Sequence, residues 1–185
     1  MSTSTLEREI KLRFASAAEA RAAILDTKAT LLRGRRLQED CLLDTPDERL
    51  RSARSVLRVR MDQGRSILTY KGPVQPSPFK LREERETVVG DGEAMLSILE
   101  RLGFAVWFRY QKYREEFGAL DAVIALDETP IGTFVEVEGG EEAIIAIAAA
   151  LGRGPADYVL DSYRALYAQH CAATGAAARD MVFDD

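Results

Sequence analysis

The 185-residue sequence is poor in cysteine, histidine and long hydrophobic runs, and each scarcity excludes a class of protein. Its two cysteines, Cys41 and Cys171, lie far apart without metal-type spacing, which argues against a disulfide framework or a zinc site. The single histidine, His170, lies near the end of a predicted helix, so histidine-based catalysis is not expected. The apolar stretch at residues 143–151 is far shorter than the ~20 residues of a membrane span and predicts a buried helix.

Two further absences concern location and partners. The N-terminus lacks the basic region and apolar region of a secretory signal, so a cytoplasmic protein is expected. The formal net charge of −5 is not the basic excess usual in binders of nucleic acid or anionic membranes, and neither partner is expected. With 46% hydrophobic residues the chain can bury one core. We expect a single domain over residues 1–173 and a flexible tail over residues 174–185.

What the sequence does contain is a series of strands with charged residues on one face. Glu7, Glu9 and Lys11 alternate with Ile10 and Leu12, and successive side chains of an extended chain point to opposite faces. A solvated sheet face shows the same alternation, so one strand does not decide the matter. Later strands repeat the pattern almost only with Arg, Lys, Glu and Asp, whereas a solvated face would also use Ser, Thr, Asn and Gln. The repetition therefore favours a functional charged surface.

Seven acidic and seven basic residues share these charged faces, with Lys80 and Arg13 set aside as peripheral. The acids are Glu7, Glu9, Glu84, Glu86, Asp127, Glu136 and Glu138, and the bases are Lys11, Arg58, Arg60, Lys71, Arg82, Lys112 and Arg114. If the opposite faces pack on helices and the sheet curls, these charges line a lumen and the hydrophobic core lies outside it. Confined ions are costly unless they are paired or bind a charged ligand. Arginine and lysine suit phosphate and carboxylates suit Mg²⁺ or Mn²⁺, so the pattern predicts a metal-bound polyphosphate as ligand.

Turn and capping signals predict the first half of the fold. Ser16 and Glu19 form a capping-box signature, and the helix that they open is expected to end near Gly34. A short apolar strand is expected at residues 41–43. Residues 63–64, Gln-Gly, separate two β-rich runs and predict a hairpin.

The second half repeats this style. Asp91 is the predicted N-cap of a helix that ends near Gly103. Strand-like runs follow at residues 106–117, 120–128 and 132–139, and helices are expected near 141–151 and 156–173. About eight antiparallel strands with flanking helices predict an α+β fold built on a β-barrel.

A set of motifs recurs in a fixed order along these strands. Glu-x-Glu-x-Lys begins at Glu7, and it is followed by "LRVR", "LTYKGP", Arg-x-Glu-x-Glu from Arg82, Lys-x-Arg from Lys112 and "LDETPIGTFVEVEG". From residue 6 to about residue 167, the sequence resembles the CYTH domain, the triphosphate tunnel metalloenzyme family named for class IV adenylate cyclase and thiamine triphosphatase. The sequences of "ILTYKGP" and of the last motif look more like the bacterial class IV cyclase-type branch than the animal thiamine triphosphatase.

The resemblance implies an eight-stranded antiparallel tunnel that binds a triphosphate and one or two divalent metal ions. It implies metal-site carboxylates at Glu7, Glu9, Glu136 and Glu138, supported by Asp127 and by Glu84 or Glu86. The implied phosphate-binding residues, called the clamp residues below, are Lys11, Arg58, Arg60, Arg82, Lys112 and Arg114. Lys71 is the implied residue that activates or orients the attacking group.

Such a tunnel is compatible with more than one activity. Attack by the ribose 3′-hydroxyl on the α-phosphorus of ATP gives cyclic AMP and pyrophosphate, and attack by water on the terminal phosphorus makes the protein an inorganic or organic triphosphatase. A non-catalytic polyphosphate or nucleotide sensor would need the same cations but not seven acids. The physiological substrate, the general base, the number of metal ions and the oligomeric state are left open by the sequence, with a homodimer as one option.

Recognition of adenine would require apolar or aromatic walls at one tunnel mouth. The candidate walls are Tyr70, Phe79, Trp107 and Tyr110, although packing within the barrel is the more frequent role of such residues. Asp161 and Tyr163 are candidates to close one mouth, again with packing as the default.

Overall fold

A computed structural model describes residues 5–184, and its central element is a closed barrel of eight antiparallel strands. The strands are β1 (Thr5–Phe14), β2 (Thr30–Asp44), β3 (Val56–Asp62), β4 (Arg65–Lys71), β5 (Lys80–Val89), β6 (Ala105–Ala119), β7 (Ala122–Thr129) and β8 (Gly132–Glu138). Their order around the barrel is β1-β5-β4-β3-β2-β6-β7-β8, and β8 pairs with β1 to close it. The predicted antiparallel barrel is confirmed.

Five α-helices are found among the described residues, and they pack on the outside of the barrel or across one end. They are α1 (Ala17–Asp26), α2 (Arg49–Ser52), α3 (Gly92–Arg101), α4 (Glu141–Ala150) and α5 (Tyr163–Thr174). None of the helices within residues 5–184 has the length and hydropathy that crossing a membrane requires.

The main hydrophobic core lies outside the barrel, as the alternation predicts. Ile10 and Leu12 of β1 are completely buried in one cluster with Ile24 of α1 and Ile144 of α4. A second cluster joins Val59 of β3 to helix α3. Each buried aliphatic side chain contributes about 1.5–3 kcal/mol to folding, so the outward faces of the strands stabilise the barrel and leave the inward faces free for charged residues.

Local signals place the predicted hairpin and two predicted helix starts where they were expected. The Ser16 hydroxyl accepts a hydrogen bond from the backbone N–H of Glu19 at 3.2 Å, and the Asp91 carboxylate caps α3 in the same way. Gln63 and Gly64 have φ angles of 49° and 77°, which is the left-handed geometry of a tight type I′ hairpin between β3 and β4.

The predicted extension of the first helix to Gly34 is wrong. Helix α1 ends at Asp26, because the Thr27 hydroxyl donates to the Ile24 carbonyl at 2.6 Å and Lys28 adopts a left-handed conformation with φ 64°. The following residues form the long strand β2, of which the expected strand at 41–43 is only the end. The inward face of β2 was therefore missing from the sequence prediction.

The last predicted helix also begins later than expected. Helix α5 begins at Tyr163 rather than near residue 156, with Ser162 as its N-cap. A short 3₁₀ turn at Pro155–Asp157 precedes an extended stretch in which Val159 exchanges two backbone hydrogen bonds with Lys11 of β1. Strand β5 pairs with the first part of β1, and this stretch pairs with β1 at Lys11, beyond the end of that pairing.

The division into a domain over residues 1–173 and a flexible tail over 174–185 stays a prediction, and its outermost residues, 1–4 and 185, lie outside the described part of the chain. The expected flexibility does not extend to Met181. Its side chain is buried, and its backbone bonds to Arg109 and Gln111 of β6 at 2.9 Å. Part of the tail is thus docked on the barrel.

Candidate active site

The barrel encloses a cavity of about 420 Å³, called the tunnel cavity here, and it is lined mainly by charged side chains. Of the fourteen charged residues expected to share the lumen, all but Asp127 line it. Asp127 is completely buried behind the wall, where it contacts Lys112 and Arg114. The alternation along the strands therefore identifies thirteen of the residues that line the cavity, but about as many others, such as Gln38, Asp62 and Glu116, were not among the expected lumen residues.

Three carboxylates converge at one place in the tunnel cavity. One oxygen from each of Glu7, Glu84 and Glu138 lies within 4.8 Å of the others, and we call these residues the acid triad. They are brought together because β1 pairs with both β5 and β8. Carboxylate oxygens at this spacing are suitable ligands for a hard divalent cation such as Mg²⁺ or Mn²⁺.

The electrostatics of the acid triad also fit a bound cation. Partial removal from water, together with the neighbouring Glu7 carboxylate, raises the pKa of Glu138 to about 7. The pKa of Glu84 is also raised, because burial and the adjacent carboxylates outweigh the attraction of Lys71. Glu138 forms no ion pair within residues 5–184, and a divalent cation would neutralise the mutual repulsion of the three groups.

The other four predicted metal carboxylates lie outside the acid triad, and each is paired with one or more cations. The Lys11 ammonium lies 2.8 Å from Glu9 and 3.2 Å from Glu136. Burial opposes ionisation of both acids, but Lys11 and its neighbouring cations hold the pKa of Glu9 and Glu136 well below the usual range. Glu86 accepts hydrogen bonds from Thr69 and Arg58, and Asp127 is paired as described above. Their participation in metal binding stays a prediction.

Two of the clamp residues, Arg58 and Arg60, are held by a buried acid that the sequence did not reveal as functional. Asp40 on β2 is completely buried, and Arg60 donates to both of its oxygens, at 2.8 and 3.2 Å. Arg58 lies 3.4 Å from the same carboxylate. Asp40 thus orients two guanidinium groups whose remaining N–H groups are available to the cavity.

The prediction that Lys80 is peripheral is wrong. Its side chain lines the tunnel cavity, and its ammonium lies 2.5 Å from the Glu9 carboxylate. Lys80 shares the alternation of Arg82 and Glu84, and this signal was sufficient to find it. Arg13, the other residue set aside, is exposed and stacks on Phe134.

Lys71 lies beside the acid triad. Its ammonium is 2.5 Å from Glu7 and 3.0 Å from Glu84. An ammonium group has three donors, so these two contacts leave one N–H for another acceptor in the cavity. Its catalytic role stays a prediction that this position supports.

A second cavity of about 390 Å³, called the mouth pocket, opens at one end of the tunnel. Leu42, Val56 and Trp107 are among its apolar walls. Of the four predicted aromatic walls, Trp107 and Tyr110 line the pocket. Phe79 is buried in the outer core instead, and the Tyr70 hydroxyl contacts the Ser55 hydroxyl at 3.2 Å.

Tyr163, the first residue of α5, reaches into the tunnel beside the mouth pocket. Its hydroxyl donates to Asp127 at 2.7 Å. Its ring lies 5.4 Å from the Lys11 ammonium and 5.0 Å from that of Lys112. Tyr163 lines both cavities and forms part of the wall between the charged tunnel and the apolar cluster under α5.

Comparison with known proteins agrees with this architecture. A family model for the CYTH domain matches residues 5–151. A protein of Methanocaldococcus jannaschii, named "Putative adenylate cyclase MJ0240", is 33% identical over 105 residues, which are 56% of this chain and 60% of that protein. The match therefore spans less than two thirds of the curated relative.

Two solved structures show the same fold at low sequence identity. A "putative adenylate cyclase" from Vibrio parahaemolyticus has a TM-score of 0.77 at 21% identity, covering 90% of this chain and 99% of that one. HpAC1 from Hippeastrum, described as having a dominant triphosphatase activity, has a TM-score of 0.63 at 18% identity, covering 91% of this chain and 96% of that one.

Proposed function

The chain belongs to the CYTH domain family, and from this membership we propose that it is a metal-dependent enzyme that cleaves an anhydride bond of an organic triphosphate. The observation that carries the proposal is that the acid triad and the clamp residues line the same tunnel cavity. Phosphoryl and nucleotidyl transfers are catalysed mainly by positioning and by stabilisation of negative charge. A tunnel with fixed cations and a carboxylate metal site provides both.

The two cavities suggest how such a substrate is oriented. Arg58, Lys71 and Arg82 line both of them, so the triphosphate in the tunnel is continuous with an organic group in the mouth pocket. No member of the acid triad lines the mouth pocket. Lys71 and Arg82, which do line it, contact Glu7 at 2.5 and 3.3 Å, so the proposed metal site lies directly behind the wall that the two cavities share.

The reaction that we propose first is that of a class IV adenylate cyclase. The ribose 3′-oxygen attacks the α-phosphorus of ATP, the bond from that phosphorus to the bridging oxygen of the β-phosphate breaks, and pyrophosphate leaves. The mouth pocket and the name of the curated relative support this reaction. The clamp residues would hold the pyrophosphate group as its charge develops.

A triphosphatase is the second candidate, and the grouping of Lys71 with the acid triad supports it. Lys71 and the triad lie together in the tunnel cavity, where the phosphates would be held. Water would attack the terminal phosphorus there, and Lys71 has a donor left to orient the attacking oxygen or the phosphate. In either reaction a divalent cation in the triad supplies Lewis-acid stabilisation of the phosphate charge.

A non-catalytic sensor of polyphosphate is the third candidate. A sensor would be weakened by three crowded carboxylates, because they repel the anionic ligand unless a metal ion neutralises them. Burial first, and then the neighbouring carboxylates, raise the pKa of Glu138 and of Glu84, which is consistent with such repulsion. This arrangement supports metal-dependent catalysis over simple anion binding.

Product analysis tests the proposed function directly. We expect turnover only with Mg²⁺ or Mn²⁺, and we expect ATP to give cyclic AMP and pyrophosphate. The purified protein is offered ATP and inorganic triphosphate separately, and the products are resolved by chromatography. If phosphate is released chiefly from the terminal position, the activity is that of a triphosphatase and not that of a cyclase. Tight binding of either compound without any turnover would support the non-catalytic sensor.

A plot of kcat/KM against pH is expected to be a narrow bell-shaped curve. Protonation of Glu138 below its pKa of about 7 removes one charge from the acid triad, so kcat/KM falls on the acid side. Burial, together with neighbouring cations, lowers the pKa of Lys80 and of Lys112 to about 8, so both lose their charge as the pH rises further. Initial rates at low substrate concentration across this range measure both limbs.

A double variant, in which two lysines are replaced by arginine, tests which groups cause the basic limb of this pH profile. In the double variant Lys80→Arg and Lys112→Arg, the side chains keep their charge at alkaline pH. The basic limb is then expected to disappear while the acid limb stays near pH 7. A basic limb unchanged in the double variant would show that other groups cause it.

A further inference from the structure

The mouth pocket carries far more positive charge than a triphosphate in the tunnel requires. Arg58, Lys71, Lys80 and Arg82 face it from the tunnel side, and Arg51, Arg54 and Arg164 line it as well. Asp161 is the one acidic residue among its lining residues in the described chain. We call Arg51, Arg54 and Arg164 the rim arginines, because they do not line the tunnel cavity.

Two of the rim arginines have no acidic partner. Arg51 is paired with Asp44 at 3.0 Å and with Glu48 at 3.1 Å. Arg54 is exposed and forms no ion pair with any residue in the range 5–184. Arg164 lies over the ring of Phe108 at 5.1 Å, and its buried Nε has no hydrogen-bond partner in the described chain. Guanidinium groups left unpaired beside an apolar pocket are suited to an anionic ligand.

The backbone at Arg54 adds an independent observation. Its φ angle is 55°, a left-handed conformation that favours glycine over a residue with a side chain. The turn is fixed by hydrogen bonds from Arg54 N–H to the Arg51 carbonyl and from Ser55 N–H to the Leu50 carbonyl, at 2.9 and 2.8 Å. The turn that ends α2 therefore holds Arg54 at the edge of the mouth pocket.

We propose that Arg54 and Arg164 bind a second anionic group on the organic half of the substrate. The ligand class that fits is a nucleoside triphosphate with an additional phosphate on its ribose. A phosphate on the 2′-oxygen leaves the 3′-oxygen free to attack in the cyclase reaction, whereas a phosphate on the 3′-oxygen is compatible only with the triphosphatase. The triphosphate would occupy the tunnel, the organic group would contact apolar walls such as Trp107, and the additional phosphate would reach the two arginines. This inference rests on the proposed function, and it concerns the specificity of the same site.

Competition binding tests the inference without depending on turnover. Inorganic triphosphate, ATP, and ATP carrying a phosphate on the 2′- or the 3′-oxygen are compared on the full-length protein and on the variants Arg54→Gln, Arg164→Gln and the double variant. The additional phosphate is expected to tighten binding roughly tenfold relative to ATP, as a partly exposed charge-assisted contact does. The double variant is expected to lose this gain and to bind inorganic triphosphate normally.

The variant Arg101→Gln is the matched control, since it removes one exposed positive charge at the end of α3. It should leave all four affinities unchanged. The inference is overturned if neither phosphorylated ATP binds more tightly than ATP. It is also overturned if the double variant weakens inorganic triphosphate and ATP equally, because the arginines would then act only by attracting any polyanion. A protein that binds no triphosphate at all would contradict the proposed function instead.

Discussion

The variant Glu138→Gln is expected to lower metal-dependent turnover at least about 100-fold, the upper end of the effect of losing a group that supports a metal ligand. Glu7 and Glu84 each contact Lys71, whereas Glu138 has no cationic partner in the described chain. The substitution therefore removes one carboxylate from the acid triad without leaving a buried cation unpaired. The Mg²⁺ or Mn²⁺ concentration that gives half-maximal turnover should also rise, because the metal ion binds more weakly.

Metal-free binding of inorganic triphosphate distinguishes this effect from general damage. It should be unchanged or tighter in Glu138→Gln, because a negative charge has been removed from the tunnel. Glu142→Gln, in the exposed first turn of α4, removes the same charge outside the barrel and should behave like the unmodified protein. Full turnover with an unchanged metal requirement in Glu138→Gln would exclude the acid triad as the metal site.

The variant Arg60→Gln is expected to weaken metal-free binding of inorganic triphosphate at least about 30-fold, as the loss of one buried charged partner does in other interfaces. Arg60 is buried, and Asp40 holds its guanidinium toward the tunnel cavity. Arg58 stays beside Asp40 at 3.4 Å, so the carboxylate keeps one partner after the substitution. Titration calorimetry of the protein without divalent metal measures the change.

Arg60→Lys separates charge from geometry at this position. Lysine restores the positive charge but lacks the planar fork that contacts both Asp40 oxygens, so it should recover only part of the affinity. Thermal unfolding of both variants shows whether the barrel is intact. Unchanged binding by a folded Arg60→Gln protein would remove Arg60 from the clamp.

The sequence was sufficient to predict which face of most strands is charged. The period of two is visible wherever the opposite face is apolar, as it is at Ile10 and Leu12 of β1. Closure into a barrel with an outer core follows from the same pattern. The alternation does not show which acids converge into the acid triad, because that depends on pairing between strands. Glu138 and Glu136 lie two residues apart on β8, yet only Glu138 joins the acid triad.

Strand β2 shows where such reasoning fails. Between Arg36 and Asp40 it has buried polar residues on its inner face and partly exposed residues such as Leu37 and Glu39 on its outer face. No helix-covered apolar row marks this stretch as a strand. The helix signal that begins at Ser16 has no stop signal in the sequence before Gly34, because Thr27 and Lys28 end the helix through local geometry. As a result Asp40, which holds two clamp residues, was not predicted.

The outer core has a consequence for how this protein tolerates changes in length. Strand β1 presents Ile10 and Leu12 to the outer core and Glu7, Glu9 and Lys11 to the tunnel, in alternation. Adding or removing one residue within β1 would exchange the two faces beyond that point, so that Ile10 and Leu12 would enter the lumen and charges would meet the helices. A single side chain can be replaced at one face without disturbing the other. Insertions at the turns, such as the hairpin at Gln63 and Gly64, leave the alternation within the strands unchanged.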